Sequence, residues 1–128
     1  MLGSVDQPTM QARAELLEQP SPRRITYIER HLAAGTPQKV DWEELSRYYR
    51  LSDYQVSRWA QYLNWRWITF NQVMSVDFIQ QHHDRLDWQW MALFQDKDLI
   101  TALQLANHEL YATKLQPWLT ALDIRYQG

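Results

Sequence analysis

The chain has 128 residues, a net charge of −2 at pH 7, 13% aromatic residues and no cysteine. Its length suits a single domain, residues 1–128, and the missing cysteines exclude disulfides, thiolate metal sites and cysteine nucleophiles, which fits a reducing cytoplasm. No apolar run approaches the roughly 20 residues of a membrane helix, Met1–Pro20 lacks the apolar core of a signal peptide, and the near-neutral charge argues against strong non-specific nucleic-acid binding.

In chain order, Thr9–Glu18 reads as a short helix ended by Gln19-Pro20. Ser21-Pro22, a cap followed by a first-turn proline, opens a second helix through His31 to Ala34, which Gly35 stops. His31 sits where the helix dipole favours a cation. Residues 36–39 form a loop, so 1–39 is an N-terminal cap.

Neither proline nor glycine occurs between Asp41 and Gln116, and apolar positions there recur at helical spacing. Asp41-Trp42, Asn64-Trp65 and Asp87-Trp88 return every 23 residues. Aligned on them, Leu45, Ile68 and Met91 coincide, as do Ser46, Thr69 and Ala92; Leu51-Ser52 matches Met74-Ser75, Val56 matches Ile79 and Leu63 matches Leu86. Self-similarity at this period indicates stacked supersecondary units. Asp41, Asn64 and Asp87 are expected to cap one short helix of each unit, and Ser52 and Ser75 the other; Ser52–Gln55 fits a capping box. Helix pairs of about ten residues cannot bury their apolar faces alone and must stack on neighbours. After the array, 40–97, a C-terminal cap over 98–128 is expected as one helix from Asp98 to Gln116, restarting after Pro117 and fraying by Tyr126. Its stripe is Leu99, Ala102, Leu103, Ala106 and Leu110.

The pattern Asp/Asn-Trp-x-x-aliphatic-Ser/Thr, followed by aliphatic-Ser and by Leu before the next Asp/Asn-Trp, resembles short repeats found in bacteriophage, bacterial and giant-virus proteins. The likeness covers Val40 to Leu99, through Trp42, Leu45, Ser46, Leu51, Ser52, Trp65, Ile68, Met74, Ser75, Phe78, Ile79, Leu86 and Trp88. Tyr54-Gln55 and Ala92 depart from it. The resemblance implies helical repeats and a mobile-element origin, and it brings no catalytic residues.

A second pattern overlaps the first unit. Residues 42–63 also fit a DNA-binding helix-turn-helix, with Ser46, Leu51 and Val56 at its packing positions. Asp53–Leu63 would then be the recognition helix, presenting Tyr54, Gln55, Ser57 and Arg58 to DNA. Against this, Arg50 stands where the motif's turn glycine is usual, and the next unit repeats the spacing with Phe78, Gln80, Gln81 and His82, which is no basic surface.

His82-His83-Asp84 invites a metal site, but in the repeat alignment His82 replaces Trp59 and His83 replaces Ala60, both on the packed face. Adjacent histidines point about 100° apart on a helix, and the acid at i+4 from His83 is the cap Asp87; no metal or cofactor is expected. His108-Glu109 lacks a second histidine and reads as a solvated turn. Asp41, Glu43 and Glu44 are acids in a first helical turn, where the dipole favours them. Arg13, Arg23, Arg24 and Arg30 alternate with Glu15, Glu18 and Glu29, a solvated face. Three glycines cannot build a phosphate loop, and no catalytic constellation emerges.

Of the seven Trp, Trp42, Trp59, Trp65 and Trp88 occupy core positions of the units. Trp67 and Trp90 do not, because Glu44 is their equivalent. They either fill space between stacked pairs or, with Arg66, Phe70 and Gln89, form a partner-binding surface of the residue types that anchor interfaces. The expected protein is all-α and non-catalytic, a small helix-pair array that binds another protein and can dimerise through either cap. The resemblance implies a phage or mobile-element adaptor or inhibitor of a host protein; the alternative is a helix-turn-helix regulator.

Overall fold

The computed structural model describes residues 16–127, with side chains as far as Asp123, and the fold is all-α. Helix α1 is Pro22–Ala33, α2 Trp42–Tyr48, α3 Asp53–Arg58, α4 Trp65–Asn71, α5 Val76–Gln81, α6 Trp88–Phe94 and α7 Lys97–Ala106. A helical turn at His108–Leu110 (α8) leads through a π-helical segment, Tyr111–Leu115, into α9, Gln116–Gln127.

Local chemistry sets most of these boundaries. Ser21 accepts from Arg24 N at the start of α1. At its end Thr36 N donates to His31 O at 2.8 Å and Gly35 N to Leu32 O at 3.2 Å. That is a Schellman closure, which needs the φ of +71° that Gly35 supplies. Asp41, Asn64 and Asp87 cap α2, α4 and α6, Ser52 and Ser75 cap α3 and α5, and Ser52 with Gln55 completes the capping box. The tryptophan after each Asp/Asn cap secures the preceding loop. Trp42 Nε1 donates to Pro37 O at 2.9 Å, Trp65 Nε1 to Ala60 O at 2.8 Å and Trp88 Nε1 to His83 O at 3.0 Å.

Helices α2, α4 and α6 pack in succession, and α6 then meets the π-helical segment and α9. Buried side chains bridge this stack. Ser46 Oγ donates to Trp42 O and accepts from Asn64 N; Thr69 Oγ1 does the same between Trp65 O and Asp87 N. Gln72 accepts from Leu51 N and donates to Tyr49 O, both at 3.0 Å, and Gln95 donates to Thr69 O at 2.8 Å. Backbone groups left over where seven-residue helices end are thereby paired. The core holds Ile28, Leu45, Val56, Trp59, Ile68, Ile79, Met91, Leu103 and Leu115, with Trp88 buried and Trp42 and Trp65 packed partly buried against it.

Several expectations need correction. The paired helices have six and seven residues rather than about ten, and α3 stops at Arg58, so no helix reaches Leu63. The expected single helix from Asp98 to Gln116 is broken at Asn107 (φ −150°, ψ 79°), whose side chain accepts from Leu110 N. Pro117 does not interrupt the chain's last helix. It lies just after the π-helical segment, where the α-helical hydrogen-bond ladder is already interrupted, so its missing N–H is tolerated. Most of the expected Thr9–Glu18 helix lies outside the described residues, and its end, 16–18, is a turn leading to an isolated bridge between Glu18 and Tyr49. His82 is buried as expected, whereas the His83 side chain is 41% exposed rather than packed.

Candidate functional site

Outward positions of α4 and α6 bring four aromatic rings together. Trp67 and Phe70 lie one turn apart on α4, and Trp90 and Phe94 one turn apart on α6. Trp67 and Trp90 meet edge to face with ring centroids 5.5 Å apart. Phe70 makes the same kind of contact with Trp90 at 5.6 Å and with Phe94 at 4.9 Å, and Trp90 with Phe94 at 5.3 Å. Trp67 and Phe70 complete the cluster at 6.0 Å. Such pairs contribute about 0.5–1.5 kcal/mol each beyond area burial, so the quartet holds itself in one arrangement. Trp67, Phe70 and Trp90 are half-buried, and Phe94 is 38% exposed. The two expectations for Trp67 and Trp90 are therefore joined in one feature: the indoles fill space against each other and still contribute to the surface.

Two guanidinium groups frame the rings. Arg47 of α2 lies over Trp67 at 4.5 Å and over Tyr48 at 5.1 Å. Arg66 lies over Trp90 at 5.5 Å while its Nε donates to Asp87 Oδ2 at 3.3 Å. Arg66, Trp67, Phe70 and Trp90 are thus brought together as the sequence suggested. Gln89 is exposed on the same helix as Trp90 and makes no hydrogen bond or ring contact with the cluster. Phe94 and Arg47 were missed. The signal for Phe94 was its place one turn after Trp90; Arg47 carried a weaker one, as the residue aligned with Phe70 and Leu93.

The helix-turn-helix segment is largely engaged within the chain. Tyr54 is 75% exposed. Gln55 Oε1 accepts from Ser52 N at 2.9 Å in the capping box. Ser57 Oγ accepts from Gln81 Nε2 at 3.3 Å and lies 3.4 Å from His82 Nε2. Arg58 donates through Nε and Nη2 to Glu29 Oε1 at 3.2 and 2.7 Å, and Trp59 Nε1 donates to Glu29 Oε2 at 2.7 Å. The bonds from Arg58 and Trp59 hold the Glu29 carboxyl below its ordinary pKa, and Glu29 raises that of Arg58.

His82 packs against the rings of Phe78 at 4.7 Å and Trp65 at 5.2 Å. Burial, helped by the charge of Arg85, lowers its pKa; Asp53 acts weakly in the other direction. Among the described residues no group of three His, Asp or Glu could hold a metal ion, and no helix is long and apolar enough to cross a membrane. Comparison of the chain with known protein families, characterised proteins and solved structures found no match.

Proposed function

We propose that the chain is a non-catalytic protein-binding module, built from stacked helix pairs, whose partner docks on the aromatic face of α4 and α6. The observation that supports this most is the interlocked quartet of Trp67, Phe70, Trp90 and Phe94, partly exposed and framed by Arg47 and Arg66. Trp, other aromatics and Arg are the side chains that anchor interfaces, and a preformed, self-packed patch loses little conformational entropy on binding. The resemblance of Val40–Leu99 to phage and giant-virus repeats favours an adaptor or inhibitor acting on a host protein in the cytoplasm. DNA binding through α3 fits less well, since Gln55, Ser57 and Arg58 would each first give up a partner within the chain.

The test is a tagged pull-down from host lysate, with and without nuclease, run in parallel on the wild type, Trp90→Ala and Phe94→Gln. A stoichiometric protein that survives nuclease and is lost with both variants, while their circular dichroism is unchanged, supports the proposal. Recovery of nucleic acid, with every protein band lost on nuclease treatment, overturns it in favour of the DNA reader.

A further inference from the structure

The chemistry of this face narrows the kind of partner it can take. Resting on the docking proposal above, we infer that the quartet receives an acidic segment of a protein, in which Asp or Glu side chains flank aliphatic or aromatic ones, with Arg47 as the main carboxylate anchor. Arg47 is exposed, its guanidinium carbon lies within 5.1 Å of the ring centroids of both Trp67 and Tyr48, and no carboxylate among the described residues pairs with it. Of the acids that share its groove, Glu44 is paired with Arg24 at 3.2 Å, and among the described residues Glu43, one turn earlier, makes no ion pair. A cation–π contact uses none of the guanidinium's N–H groups as hydrogen-bond donors to an acceptor in the chain, and these N–H groups form a fork that matches a carboxylate. Arg66 adds a second fork: its side chain is 61% exposed, and only Nε is committed to Asp87.

The rings themselves select apolar side chains rather than nucleobases. Base stacking requires open ring faces. Here a guanidinium covers a face of each indole, and the interplanar angles of 84° for Trp67–Trp90 and 86° for Phe70–Phe94 place ring edges against ring faces within the cluster. Ring edges carry the positive end of the aromatic quadrupole, so carboxylates beside them are favoured again.

The experiment is panning of a displayed library of short random peptides on the full chain, on Arg47→Gln and on Trp90→Ala, with oligo-dT binding measured alongside. Enrichment of peptides with Asp or Glu beside Leu, Ile, Phe or Trp, weakened about tenfold on Arg47→Gln, supports the inference. Peptides enriched without acidic residues, yet lost on Trp90→Ala, overturn the acidic partner while the docking face stands. Enrichment unaffected by Trp90→Ala, or no enrichment at all, overturns both. Salt-sensitive oligo-dT binding without peptide enrichment makes the ligand a single-stranded nucleic acid instead.

Discussion

Glu29 and Trp59, thirty residues apart, are joined by a 2.7 Å hydrogen bond from the indole N–H to Oε2, while the other carboxylate oxygen binds Arg58. One side chain on α1 thus fastens that helix to the end of α3. Trp59 is buried, and Glu29 is the acceptor that serves its N–H. Glu29→Ala is expected to destabilise the chain by about 1–3 kcal/mol, the cost of leaving a buried donor unpaired. Glu29→Gln, which keeps an acceptor, should cost less. Urea denaturation of the two variants checks the order; equal losses would show that the acceptor at Trp59 is immaterial.

The pH dependence follows from two groups whose folded pKa values are both depressed. His82 is held neutral by burial, so the unfolded chain binds more protons than the folded one; its contribution is complete above about pH 6.5 and is lost as pH falls through the lowered folded value. Glu29 acts with the same sign from its ordinary 4.5 downward. The melting temperature is expected to decline in two stages on acidification. His82→Gln should flatten the stage just below pH 6.5 and leave the Glu29 stage in place. A variant with the wild-type profile would show that His82 does not set the upper stage.

Substitutions on the buried and outward faces of α4 and α6 should differ in cost. Ile68 is fully buried, and Ile68→Ala is expected to cost about 2–5 kcal/mol through the cavity it leaves. Phe94→Gln removes a ring that is already 38% exposed and makes two ring contacts, and should cost less, about 1–3 kcal/mol. Thermal unfolding of the pair distinguishes core face from docking face.

The polar bridges between successive helices are a further point of test. Thr69 is buried and serves Trp65 O and Asp87 N together, so Thr69→Val preserves shape and strands the Asp87 N–H. A loss of about 1–3 kcal/mol is expected. Ser46→Ala, its counterpart at Asn64 N, should fall in the same range. Neutral behaviour of both would show that the bridges add nothing to stacking.

Helix starts were legible because they depend on adjacent residues: Asp41, Ser52, Asn64, Ser75 and Asp87 each accept from an N–H two or three positions later. The break at Asn107 was not, since the apolar stripe through Leu103, Ala106 and Leu110 continues across it, and Asn is only a mild helix breaker. Of the aromatic face, Trp67 and Trp90 stood out because they depart from the repeated core pattern. Phe94 belongs to a position filled by Tyr48 and Asn71 in the earlier units, so no repetition marked it. Arg58 and Ser57 looked available for DNA because their partners, Glu29, Gln81 and His82, lie 24 to 29 residues away, beyond the reach of any local pattern.

Hydrogen–deuterium exchange of the chain, alone and saturated with its captured partner, locates the docking face. New protection is expected to concentrate in Trp65–Asn71 and Trp88–Phe94, with the Arg47 end of α2 beside them. Protection confined to Asp53–Arg58, with α4 and α6 unchanged, would contradict it and place the binding surface on the helix-turn-helix segment.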